Sequence, residues 1–255
     1  MKRTTRKIIL CTFLIVVLLG ALMAASCFVS NPLNVSRLGD VPTPPGYQRI
    51  EAGDSYTTFI RNLPLKPRGS RVKLYKGGNA HMQWLAAAVI DWPVLSNSEQ
   101  CADVTMRVRG EYLLSEKRYS DLCFTGVDGK EYAYTGGSSR DAFVKYMKNV
   151  YVKCNTASVY KETRQRSFKD VRPGDVLVYP SRRKGMSGHA ILVADVARTK
   201  SGKTAILCVE GNTPAREAHI VRSLHPLHPC WHYIREGEDI WVSVFHFHPK
   251  ELRHY

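Results

Sequence analysis

No C-x-x-C pair occurs in this sequence, and no unit of it repeats. The first absence removes zinc ribbons and thioredoxin-like redox motifs. The second removes solenoids and propellers. Glycine and proline stand at ordinary counts, 18 and 13, which excludes collagen-like and low-complexity chains. Acidic side chains are scarce: 22 Asp and Glu face 37 Lys and Arg, for a net charge of +15. With 44% hydrophobic residues among 255, the chain is too apolar to be disordered and long enough to bury its own core. Its length fits one domain, or at most two. The basic excess favours anionic partners such as nucleic acid, lipid headgroups or an acidic cell-wall polymer. No stretch interleaves that charge with stacking aromatics as a nucleic-acid module does. A solvated basic surface near an anionic envelope is the simpler reading, and nucleic acid is not an expected partner.

The N-terminus points to export. Lys2, Arg3, Arg6 and Lys7 precede an uncharged apolar run from Ile8 to Val29, the order of a secretory signal. Ala24-Ala25-Ser26-Cys27 resembles a bacterial lipobox, with lipidation expected at Cys27. The run is also long enough to span a bilayer uncleaved. Residues 1–29 are therefore a signal, lipoprotein or anchor segment. Residues 30–45, with Pro, Asn and Ser and no periodicity, read as a linker, and 46–255 as a single domain. The expected location is periplasmic or cell-surface, tethered to the membrane. Five cysteines remain in the body: Cys101, Cys123, Cys154, Cys208 and Cys230. Export permits disulfides, but an odd number leaves at least one thiol free. Cys208 and Cys230 are either paired or both free.

Ser96-Asn97-Ser98-Glu99 fits a capping box, and a helix is expected from there to about Leu114. Cys101, Val104, Val108 and Tyr112 share one face of it, while Asp103 and Arg107 are spaced to pair. A second box at Ser138 to Asp141 opens another amphipathic helix, and a shorter one is expected from about Ala157 to Arg166. The period then changes. Val176 to Tyr179, His189 to Val196, Ala205 to Glu210 and Trp241 to Phe247 read as strands, as do Val72 to Tyr75 and Ala86 to Asp91 earlier. Helices first and hairpin-linked strands later imply an α+β domain with an antiparallel sheet.

Three features stand in order. Cys101 lies near a helix start, where free N–H groups and the macrodipole favour a thiolate. His189 follows Gly188 and opens a strand, placed to carry a proton. Glu210 and Asn212, a hairpin later, are candidates to orient that histidine. Backbone N–H groups at Cys101, helped by Gln100, are candidates for an oxyanion site. The plain alternative is a packing cysteine and a hydrogen-bonded structural histidine.

Two resemblances bear on this choice. Arg172-Pro173-Gly174-Asp175 with its strand, and Ser187-Gly188-His189-Ala190 with its strand, resemble the second half of NlpC-like cell-wall cysteine peptidases and their papain-like relatives. More closely, the chain resembles the family called domain of unknown function 4846, known from exported bacterial proteins. The matching stretches are Phe59 to Pro67, Val72 to Tyr75, Gln100 to Asp103, Met106-Arg107, Glu111 to Leu113, the helix from Phe143, Pro173 to Val176, Gly188 to Ala190 and Thr213 to Ala215. That family carries a Gln-Ser-Tyr-type stretch where this chain has Glu210-Gly211-Asn212, so a carboxylate replaces a neutral amide. The first resemblance implies a papain-like core, a nucleophile helix packed on an antiparallel sheet, and a thiol hydrolase of amide bonds acting on cell-wall peptides or another envelope substrate. A non-catalytic envelope-binding module is the alternative.

Other clusters are weaker. His225, His228, Cys230 and His232 lie in a Pro-broken stretch that reads as a surface loop, not a metal site. His246 and His248 alternate on one strand face, read as solvated or partly buried. Trp84, Trp92 and Trp241 read as core, and Trp231 as core or cleft wall. No metal and no organic cofactor is expected.

Overall fold

Two long buried strands organise the domain. β7 (His189–Arg198) and β8 (Thr204–Glu210) are buried along almost their whole length. Both read as nearly continuous apolar runs, because this antiparallel sheet is covered on both faces. The computed structural model describes residues 11–18, 20, 33–183, 185–223, 225 and 229–255.

The two strands pair antiparallel, and each shares its outer side between two shorter partners. β7 takes β6 (Val176–Tyr179) at its start and β1 (Gln48–Arg49) at its end. β8 takes β10 (Trp231–Ile234) at its start and β9 (His219–Val221) at its end. β2 (Ala86–Val89) extends one side, β13 (Leu252–His254) and β5 (Arg164–Gln165) the other, completing nine strands. β3 (Cys123–Thr125) and β4 (Glu131–Ala133) form a separate hairpin, as do β11 (Ile240–Val242) and β12 (Phe245–Phe247).

Alternation along β8 divides the core. Ala205, Leu207 and Val209 face α1 (Ser55–Arg61) and α2 (Cys101–Ser115), meeting Ile60, Val104 and Val108. Ile206 and Cys208 face the other way, toward Val242, Phe247 and Leu252. A third cluster joins α2 to α3 (Arg140–Lys153) and α4 (Thr156–Glu162) through Met106, Phe143, Met147 and Val159. The α+β class with its large antiparallel sheet is therefore present. Asp195, fully buried on β7, takes Arg49 and Arg61 as partners and ties β1 and α1 to the sheet.

Several local expectations are corrected. Ser96 to Glu99 forms a turn, not the helix cap; α2 starts at Cys101, with Gln100 as its N-cap residue. Asp103 does not pair with Arg107. Its Oδ2 accepts the Gln100 N–H at 2.8 Å, while Arg107 donates to Glu99 at 2.7 Å and lies over Trp92. The side chain at the third helical position folds back on the open end of its own helix. Trp241 to Phe247 is a hairpin, turned at Ser243 with φ +56°. Val72 to Tyr75 makes only isolated bridges. The third helix ends at Glu162. Trp231 and His232 belong to a buried strand and not to a loop, and Trp231 donates to Pro42 O at 2.7 Å. All five body cysteines are free thiols.

In the segment read as a linker, Leu38 and Val41 are wholly buried. Residues 11–18 are helical with exposed side chains. Among the described residues no helix is long and apolar enough to cross a membrane. Cys27 lies outside the described residues.

Candidate active site

α2 directs its first turn at the beginning of β7. Cys101 occupies the first helical position, where N–H groups have no partner inside the helix. Its thiol lies beside the His189 imidazole and the backbone N–H groups of Ala190 and Ala102, all of which favour its charged form. Burial pushes the thiol up, but those neighbours outweigh it and hold Cys101 below its ordinary value. Burial alone would lower His189, yet Cys101 and Glu210 beside it raise it above the usual histidine value. Opposite shifts on the two neighbours are those that favour moving the proton from the sulfur to the imidazole.

The other thiols supply the contrast. Burial raises Cys123, Cys154, Cys208 and Cys230, with Cys154 and Cys230 pushed up to about 12. Cys101 is the one body cysteine driven toward the thiolate.

Behind the imidazole sits a buried carboxylate. Glu210 Oε2 lies 3.4 Å from His189 Nε2. Glu210 Oε1 lies 3.4 Å from Nε2 of His219, its register partner on β9. Nδ1 of His219 faces the Glu217 carbonyl at 3.1 Å. Burial pushes Glu210 up, but the two imidazoles overcome it and carry the carboxyl down to about 2. Of the two candidates for the orienting position, Glu210 contacts His189. Asn212 Oδ1 instead accepts the Thr213 N–H at 2.8 Å.

Two glycines permit this approach. A Cβ on Gly188 would lie 2.4 Å from Thr156 Oγ1 and 2.4 Å from the Tyr179 carbonyl. On Gly211 it would lie 2.5 Å from Val104 Cγ2, within the first turn of α2. The chain thus passes closely on both sides of the catalytic candidates because neither neighbour has a side chain.

The pair opens into a cleft of about 740 Å³. Its walls come from the start of α2, the junction of α3 and α4, the loop before His189, Thr213 and the β11–β12 hairpin. Phe245 of that hairpin stacks face to face on His189, with ring centroids 3.4 Å apart and planes at 11°. Gln100 lines the cleft beside Cys101, and its Oε1 accepts from Thr213 Oγ1 at 2.8 Å. Asp103 Oδ1 and the Tyr151 hydroxyl are buried, belong to residues of the cleft wall, and have no hydrogen-bond partner within the protein.

Residues 39–138 and 135–254 match the family described as domain of unknown function 4846. The chain belongs to that family. No curated protein and no solved structure matches it.

His219, Phe245 and Tyr151 went unnoticed in the sequence. His219 reaches Glu210 through strand register, which composition does not encode. Phe245 was concealed in a run that reads as one strand. Of the His-rich stretch, His225 is exposed, Cys230 and His232 are buried, and His228 lies outside the described residues. His232 is held down to about 4 by burial.

Proposed function

We propose that this protein is a thiol hydrolase of amide bonds with a papain-like core, exported and tethered at the membrane, acting on cell-wall peptides. The observation that carries the reading is that Cys101 and His189, shifted in opposite directions, stand side by side in the lining of one cleft. The carboxylate–imidazole–thiol order further supports it, as does the basic segment ahead of the apolar run.

The chemistry follows from the positions. The Cys101 thiolate attacks the amide carbonyl carbon, forming a C–S bond and a tetrahedral oxyanion. N–H groups of the first turn of α2 and the Gln100 amide stand beside that carbon to bind the oxyanion. The oxyanion collapses, the C–N bond breaks, and the His189 imidazolium gives its proton to the leaving nitrogen. The remaining thioester is attacked by water, whose proton returns to His189. Breaking the C–S bond releases a carboxylic acid and restores the ion pair. Glu210 fixes the ring and stabilises its charge. Asn212 lines the same cleft without touching His189.

An activated ester, 4-nitrophenyl acetate, tests the nucleophile. The full chain should give a burst of one nitrophenolate per molecule and carry one acetyl group on Cys101 by mass spectrometry. Purified cell-wall peptides should then be cut by the wild type and not by Cys101→Ala. His189→Ala should slow acylation about 10²–10⁴-fold. Acylation indifferent to His189, or peptide cleavage that survives loss of Cys101, refutes the proposal.

A second reading, an envelope-binding module, draws on another opening of about 810 Å³. Lys169, Arg198, Lys203 and Arg235 line it, with no cysteine or histidine. On that reading Cys101 is acylated no faster than an ordinary thiol, and an anionic polymer binds the basic opening.

A further inference from the structure

The ring that covers His189 belongs to a ribbon outside the main sheet. β11 and β12 pair only with each other, three residues against three. A two-stranded ribbon is marginal by itself. Apolar contacts hold its inner face: Ile240, Val242 and Phe247 are buried, and Phe245 lies on the imidazole. Alternation sends the paired Trp241 and His246 outward, and Trp241 is 64% exposed. One step along, the same alternation brings Asp239 and His248 to that outer face.

Three donor groups meet there. His246 Nε2 lies 3.0 Å from Asp239 Oδ2, and His248 Nδ1 lies 3.0 Å from Asp239 Oδ1. One ligand atom from each residue falls within 4.8 Å of the others. The two imidazoles stand edge to face, with planes at 79°. Glu251 is already engaged by Arg182 and by the His248 N–H.

We infer that Asp239, His246 and His248 bind one divalent transition-metal ion of the zinc class and that this ion clasps the ribbon. Two imidazoles and a carboxylate are a borderline N/O set suited to such ions. Zinc commonly takes three protein ligands and leaves a position for water. Bonds of about 2.0–2.2 Å need only a small swing of side chains already this close. The carboxylate comes from the residue just before β11, and the imidazoles from β12 and the residue just after it, so one ion ties the two ends of the ribbon together. Phe245 is thereby held against His189. The inference does not rest on the proposed hydrolase activity.

Equilibrium dialysis of the full chain against zinc chloride, read by atomic emission, tests it. The wild type should bind one zinc per molecule, and so should Cys101→Ser, which keeps the metal off the thiol. His246→Ala/His248→Ala should bind at least about 100-fold more weakly, and Asp239→Asn about 10–100-fold more weakly. Circular dichroism establishes that the variants are folded, and Asp239→Asn preserves side-chain shape should the double variant fail. Zinc should raise the melting temperature of the wild type and of Cys101→Ser but not of the double variant. A wild type that binds no zinc, or a folded double variant that binds it equally, overturns the assignment.

Discussion

Replacing Glu210 with Gln preserves the shape of the side chain and removes its charge. In the folded protein two imidazoles hold this buried carboxyl at about 2, against an ordinary value of 4.5. At about 1.4 kcal/mol for each tenfold change in proton affinity, that difference is worth about 3 kcal/mol. Between the two values the unfolded chain binds the proton and the folded chain does not. The stabilisation is therefore complete above about pH 5 and disappears as the pH falls toward about 2. Asp175, pushed up to about 7 by burial, works in the opposite sense, losing stability as pH rises. The wild-type curve alone thus mixes the two effects. Subtracting the variant cancels every group except Glu210 and the imidazoles it touches. Urea denaturation of both proteins at several pH values measures that difference. Wild type should exceed Glu210→Gln at neutral pH, and the gap should narrow by about 3 kcal/mol on acidification through this window. A gap that stays constant with pH would show that the carboxylate is not held by His189 and His219.

Two other substitutions test the frame around the site. Gly188→Ala places a Cβ against Thr156 and the Tyr179 carbonyl. It should cost about 1–3 kcal/mol in urea denaturation and slow Cys101 acylation by displacing His189. Asp195→Ala leaves Arg49 and Arg61 without their buried partner and should cost about 3–5 kcal/mol by the same measurement.

The strands were readable where one physical pattern dominated. Val176 to Tyr179 and Ala205 to Glu210 are apolar runs bounded by turn residues, and both are strands. The sequence starts α2 too early because Ser96 to Glu99 has the composition of a cap, whereas the helix begins at Cys101. Glu99 instead turns to Leu95 and Arg107, contacts that depend on tertiary packing. The order of Cys101, His189 and Glu210 was visible in the chain, and the fold brings all three together. The contribution of His219 was not visible, since it depends on which residue of β9 lies opposite Glu210. Phe245 was missed for a related reason: a turn at Ser243 with no glycine gives no signal that a single strand is in fact two.

The most direct test of the central claim is the pH–rate profile of iodoacetamide alkylation, resolved cysteine by cysteine by peptide mass spectrometry. Cys101 should react through neutral pH at a rate that barely changes with pH, while Cys154, Cys208 and Cys230 stay slow in the folded chain. In His189→Ala the Cys101 rate should fall and follow the titration of an ordinary or buried thiol. A Cys101 that reacts no faster than Cys208, or equally fast without His189, would contradict the account.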